Sequence, residues 1–292
     1  MQNSSPDSAV EIDAFELVRT RVRQYLACDE LVIPILPEVA VRVVDTGTRR
    51  AANAHVLADI INTDPALTMY VLRIAACAAK RPAQPINSLQ HAVAWLGIDE
   101  VANIAFTLAL QGKLLDVKGH HRKARRLWRH SLASALWARQ LAHMSARETG
   151  VCYLCGLLHG IGKVVTLGAV NDVAHRAGAQ LSSDGFDSLI EIFHEDIGAR
   201  VLHSWALPKT VAQVLAHWKN YRAGGDLAWE GNVVCMADKF ADFTLHEPDM
   251  LKRDELIAHP AFHDLGFTAE DGEPLFDSAS SIDAELDRYM SP

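Results

Sequence analysis

The chain has 292 residues, long enough for one large domain or two small ones with a real hydrophobic core. Its 49% hydrophobic and 22% charged residues are the balance of a globular protein, which excludes a chain that is disordered throughout. The formal charge of −8, from 28 basic and 36 acidic side chains, argues against a duplex-DNA binder, whose binding face is basic, unless a local patch outweighs the average.

The opening "MQNSSPDSAVEIDAF" lacks the basic start and apolar centre of a secretion signal. No run reaches the roughly 18 uncharged apolar residues that span a bilayer. The five cysteines, Cys28, Cys77, Cys152, Cys155 and Cys235, are odd in number and scattered, which fits a reducing compartment; the expected location is cytoplasmic.

Residues 1–10 are polar and expected to be disordered. From Glu11 to Ala27, Phe15, Val18, Val22, Tyr25 and Leu26 recur at helical spacing. Pro37 starts a helix to about Asp45, "TGTRRAAN" reads as a loop, and a further helix runs to Asn62. In "TDPALTMYVLRIAACAAK", Asp64 is placed as N-cap and Pro65 at the first helical position, with Leu67, Tyr70, Val71, Ile74 and Cys77 as the buried stripe. After a turn at "RPAQPINS", a short helix begins at Ser88 and stops at Gly97. Asp99 is then expected to cap a helix to about Leu115.

A charged joint, "DVKGHHRKARR", leads into a long helix over 122–143. "GVCYLCGLLHGIGKVVTLG" reads as one or two buried helices, followed by helices in "SLIEIFHEDIGARVLHSWAL", from Pro208, and in "GNVVCMADKFADFTLH". No segment alternates apolar and polar residues between hairpin turns, so strands are not expected. After His246 the chain is acidic and weakly periodic, which reads as a loosely packed appendage. The expected fold is an all-α, multi-helix bundle of two packed helical subdomains, 11–117 and 118–246, with an acidic extension over 247–292.

Several of the 14 histidines lie within apolar helical runs: His130, His159, His194 and His217. A buried imidazole needs partners for its nitrogens, so these residues imply either a polar network or metal coordination, and spacing alone leaves both open. "LPEVAVRVV", "ADIINTDPALTMYVLRIAACA", "PINSLQHAVAWLGIDEVANIAF", "LWRHSLASALWARQLA", "LCGLLHGIGKVV", "HEDIGARVLHSWALP" and "VVCMADKFAD" occur in that order over roughly residues 30–243. Together they resemble the HD-related output domain (HDOD) family of bacterial signalling proteins. The resemblance implies a C-terminal half built like the metal-dependent HD phosphohydrolases.

By that resemblance His130 matches the first metal ligand, His159 the histidine of the His-Asp pair, His194 and His217 the later histidines, and Asp238 the last aspartate. Two positions depart: Gly160 replaces the aspartate of the pair, and Trp218 stands where such enzymes often carry a second adjacent histidine. The lost carboxylate would have bridged two ions, so two close cations lose their charge compensation. His130, His159 and Asp238 can still form an N,O set for one divalent transition metal. No catalytic residue and no resident cofactor are expected, and mutual satisfaction of these groups inside the bundle is the favoured reading.

"GIGK" lacks the spacing and the hydroxyl residue of a Walker loop and reads as close helix packing. Cys152 and Cys155 lie one helical turn apart without a partner pair and read as packing residues. Arg122, Lys123, Arg125 and Arg126 could meet phosphates or an acidic partner; a contact with the chain's own acidic tail is the simpler account. Trp95, Trp128, Trp137 and Trp205 are assigned to the core. The helix at 11–27 packs on its own domain or docks a partner. The resulting expectation is a non-catalytic regulator that binds signalling proteins, such as a sensor kinase or receiver-containing protein, or a small ligand, with neither membrane nor nucleic acid as partner. The competing readings are an atypical metal-dependent phosphohydrolase or cyclic-nucleotide phosphodiesterase, and a DNA-binding regulator.

Overall fold

The computed structural model describes residues 6–47, 54–77, 85–247 and 250–291. Among them are fifteen α-helices and no strand. The first six are α1 (Pro6–Ala27), α2 (Glu38–Gly47), α3 (Ala54–Asn62), α4 (Pro65–Ala76), α5 (Leu89–Leu96) and α6 (Ile98–Leu114). They are followed by α7 (His121–Met144), α8 (Gly150–Leu158), α9 (Ile161–Ala177), α10 (Ser183–Ser204), α11 (Lys209–His217) and α12 (Ala228–Leu245). Two short 3-10 turns, Trp218–Ala223 and Gly225–Leu227, join α11 to α12, and α13 (Arg253–Ile257), α14 (Pro260–Asp264) and α15 (Ala269–Met290) close the chain. The molecule is an all-α bundle of two packed helical subdomains, the later one HD-like.

Local chemistry explains most of the boundaries. Asp64 accepts a hydrogen bond from the Leu67 amide at 3.0 Å with Pro65 at the helix start, and Ser88 accepts one from the His91 amide at 3.1 Å. Gly97, at φ +91°, both ends α5 and begins α6, so Asp99 sits in the first turn of α6 and is not its cap. There it still offsets the helix dipole. Helix α1 begins at Pro6, ahead of the expected start at Glu11, while residues 1–5, 48–53 and 78–84 lie outside the described residues and with them parts of the expected tail and loops.

The core runs through both halves. Trp128, Trp137 and Trp205 are buried, whereas Trp95 is 42% exposed and was misassigned to the core. In α4 the buried stripe is Leu67, Val71, Ile74 and Ala75; Tyr70 is half-exposed under the Arg73 guanidinium and Cys77 is exposed. Gly150–Ala177 is long and apolar enough to cross a bilayer by composition alone, yet 78% of its most apolar window is buried inside the bundle and His159-Gly160 breaks it into two helices.

Two contacts were not expected. Helix α1 lies on α9 and α10, with Val18 and Val22 fully buried. Arg200 of α10 donates to the Leu26 carbonyl at 2.7 Å, and the Trp205 indole donates to the Pro34 carbonyl at 2.7 Å. The acidic extension, expected to be loose, is packed: Leu256, Phe262, Leu275, Leu286 and Tyr289 are buried, and α15 rests on α7 and α12. Its apolar residues are simply diluted by acids that face solvent or basic partners. Arg139 of α7 fastens it, bonding Glu285 of α15 at 2.8 Å and Glu100 of α6. Burial pushes the Glu100 carboxyl up, against the attraction of Arg139.

Candidate metal centre

Three helices converge on one carboxylate. His130 projects from α7, Asp238 from α12, and His159 caps the C-terminus of α8, where the chain breaks before α9. Two close backbone approaches set their spacing. A Cβ on Gly156 would stand 2.7 Å from the Ser134 carbonyl oxygen, so α8 meets the α7 backbone directly. A Cβ on Gly162 would stand 2.0 Å from the His194 carbonyl oxygen, so α9 is equally close to α10. This is the packing role expected of the "GIGK" glycines.

The His130 Nε2 lies 3.0 Å and the His159 Nε2 3.1 Å from the same Asp238 Oδ1. All three ligand atoms lie within 4.8 Å of one another. The His159 Nδ1 donates to the Gly156 carbonyl at 2.6 Å, which leaves Nε2 to face Asp238, the orientation in which metal-binding imidazoles are held. Asp242, one turn beyond Asp238, lies 3.3 Å from the His130 Nδ1. Burial would raise the Asp238 carboxyl, but hydrogen bonds from both histidines hold it far below the usual carboxylate range. Burial likewise pulls His130 down, and the bond and charge of Asp238 outweigh it, so this imidazole is raised.

Ligands adjacent on a cation with bonds of about 2.1 Å stand roughly 3.0–3.4 Å apart, so the two nitrogen–oxygen separations already match one ion. The donor set fits a single divalent transition metal with open positions for water. It does not fit two ions: Gly160 supplies no carboxylate, and a Cβ there would stand 2.9 Å from the Ser131 Oγ. The cluster is therefore a partial three-residue site and not a complete HD centre.

Two other expected ligands fall outside the group of atoms within 4.8 Å of one another. His194 lines the same cavity, of about 710 Å³, with its Nδ1 directed at the Ile190 and Glu191 carbonyls, each at 3.1 Å. His217 is exposed at the end of α11 and outside the cavity lining. Trp218 takes the wall instead, its ring edge-on to His159 with centroids 5.1 Å apart. Asp242 and Ser131 were not singled out in the sequence; the i+4 spacing of Asp242 from Asp238 was a usable signal, whereas nothing in the sequence marks Ser131.

The remaining candidates resolve into intramolecular contacts. Arg125 donates to the Met290 carbonyl at 2.8 Å, Arg126 pairs with Glu247, and Arg129 pairs with Asp283 at 2.6 Å, so the basic stretch does meet the acidic tail. Lys123 bonds Asp187 at 2.7 Å, and Arg122 makes no hydrogen bond or ion pair among the described residues. Burial pushes the Cys152 thiol up to about 12 and Cys155 well above its ordinary value, which suits packing and not metal or redox chemistry.

The HDOD domain family matches residues 33–221. The fold is shared with an HDOD domain protein of unknown function from Geobacter sulfurreducens, at 22% identity over 95% of this chain and 98% of that one, TM-score 0.72. It is shared too with a Shewanella amazonensis SB2B protein provisionally described as a metal-dependent phosphohydrolase, at 22% identity over 94% and 99% of the two chains, TM-score 0.70. A curated relative, an uncharacterized protein of Treponema pallidum (strain Nichols), is 24% identical over 169 residues, 55% of this chain and 32% of its own. This chain thus spans about a third of the length of that relative.

Proposed function

Because the chain belongs to the HDOD family, we propose that it is a signal-transduction output module that works by binding other signalling proteins and not by turnover. Its HD-like half serves as a scaffold around a site reduced to one cation at most. The observation that carries this reading is Gly160: the position that must supply a bridging carboxylate has no side chain, and Ser131 crowds the room for one. Bound metal would supply Lewis acidity at one open position. His130, His159 and Asp238 would hold it, and Asp242 would orient His130. Partners of the expected kind are a sensor kinase or a receiver-containing protein, met at helical surfaces.

The competing reading, a mononuclear phosphohydrolase, draws on the same cluster and on the cavity beside it. Elemental analysis of the purified protein, before and after mild chelation, with turnover of phosphodiester substrates, separates the two. The scaffold reading expects no metal-dependent turnover, and His159→Ala to change metal content and folding only. Turnover that follows metal content and disappears in His159→Ala overturns it.

A further inference from the structure

Residues 288–291, at the end of α15, are held by side chains from three other helices. A helix leaves its last carbonyls without intrahelical partners, and here they find them outside α15. Gln111 of α6 donates to the Tyr289 carbonyl at 3.1 Å, Arg125 of α7 to the Met290 carbonyl at 2.8 Å, and Arg73 of α4 to the Ser291 carbonyl at 2.7 Å. The capping is reciprocal. Cys77 caps the C-terminus of α4, and its carbonyl accepts from Arg288 of α15. Cationic side chains at both helix ends also complement the two dipoles.

This segment lies over the seam between the subdomains. Helices α2–α6 pack on the later ones mainly through α6, against α7 and α8. Across that contact Thr107 and Tyr153 share a hydrogen bond at 2.8 Å, and the Trp128 indole of α7 donates to Gln111 of α6 at 3.2 Å. Gln111 thus joins α7 and α15 at once. Segment 288–291 bonds to α4 and α6 on one side of the seam and to α7 on the other, so it ties the two together.

Closure is finely balanced. The bonds run from side chains to backbone carbonyls, and those of Arg73 and Arg288 are exposed, so water replaces them at small net cost. Burial of Leu286, Tyr289 and Met290 favours the closed seat. Against it stands the Tyr289 hydroxyl, buried without a hydrogen-bond partner. Leaving the seat hydrates that hydroxyl and offsets part of the apolar exposure. An open groove of about 710 Å³ between α4 and α6 is walled on one side by Tyr289, Met290 and Ser291, so the segment is unpacked on that flank.

We propose that segment 288–291 is a strap that locks α2–α6 onto α7–α12, and that its release is a conformational switch by which the two subdomains part. The strap needs no cation. It rests on the preceding reading only for its role as the step that turns an input into an output.

The test is amide exchange of the full-length protein read by mass spectrometry, together with the distance between nitroxide labels on Cys28 and Cys77. Both cysteines are exposed; Cys28 follows α1, which is seated on α9 and α10, and Cys77 ends α4, so the pair spans the seam. Arg125→Gln, an exposed change, removes one charge-assisted bond. It should speed exchange in the last turns of α15 and α4 by about tenfold and add a population with a longer label distance. Tyr289→Phe removes the unpaired hydroxyl and should slow the same amides by about tenfold. Exchange in α8 and α9 stays that of the unaltered protein in both variants. None of these readouts involves metal or turnover, so failure here is distinct from failure of the scaffold reading. Equal acceleration throughout α7–α12 in Arg125→Gln, an unchanged label distance in that variant, or exchange in Tyr289→Phe no slower than in the unaltered protein overturns the proposal.

Discussion

Replacing Gly162 by alanine tests the close approach that builds the metal cavity, and Gly168 supplies a control within the same helix. The new Cβ at 162 would stand 2.0 Å from the His194 carbonyl oxygen, with Gly198 behind it at 3.1 Å. An ordinary contact needs about 3.4 Å or more, and neither atom belongs to a side chain that can rotate away, so α9 and α10 must part by about 1.4 Å. Overpacking of this kind costs about 1–3 kcal/mol; a backbone obstacle puts Gly162→Ala at the upper end, less about 1 kcal/mol regained in helix propensity. At Gly168 the nearest atom outside the helix is a Val117 methyl at 4.0 Å, so alanine there gains about 0.5–1 kcal/mol. The two variants should therefore differ by about 3 kcal/mol, or about 6 °C in Tm for a chain of this size. Thermal melts by circular dichroism read this directly, and Gly162→Ala should also weaken any metal binding, since His194 and its helix form the cavity wall. If the two variants melt within about 1 °C of each other, the close packing argued for this junction is wrong.

The Glu100–Arg139–Glu285 link predicts that Arg139→Met destabilises by about 2–4 kcal/mol, since two buried acids are left facing each other. Lys219→Met, at an exposed pair with Glu195, should change stability by less than about 0.5 kcal/mol in the same chemical denaturation series. Thiol reagent added to the native protein should modify Cys28 and Cys77 at once and spare Cys152, Cys155 and Cys235 until denaturant is added; early labelling of Cys155, read by peptide mass, contradicts the core assigned to α8. Gly160→Asp combined with Ser131→Ala, which clears the 2.9 Å obstruction, should add about one equivalent of bound divalent metal per chain relative to the unaltered protein, whereas Gly160→Asp alone should not.

Much of this fold is legible in the sequence because its signals are local. Asp64-Pro65 and Ser88 announce helix starts through bonds made within three residues, and Gly97 stops α5 through its own backbone. His130, His159 and Asp238 could be matched to a family pattern, and they do converge. What escaped depends on partners remote in the chain. Whether Trp95 is buried, or which side of α15 is apolar, follows from neighbours that no window of sequence contains. The failure of His217 to join the cluster has the same origin: the turn after α11 presents Trp218 to His159 and leaves its neighbour in solvent. Ser131 acquires meaning only from the glycine opposite it, on another helix.

The seat of α1 on α9 and α10 has a consequence for the order of events during synthesis. The first helix leaves the ribosome with Val18 and Val22 on its surface, but Ile161 follows Ala27 by about 130 residues, or about 7–30 s of translation. Through that interval the apolar side of α1 has no permanent seat, and a nascent-chain chaperone or a transient contact with α2–α6 must shelter it. Silent changes that slow translation between α6 and α9 should thus lower the yield of folded protein without altering a single side chain.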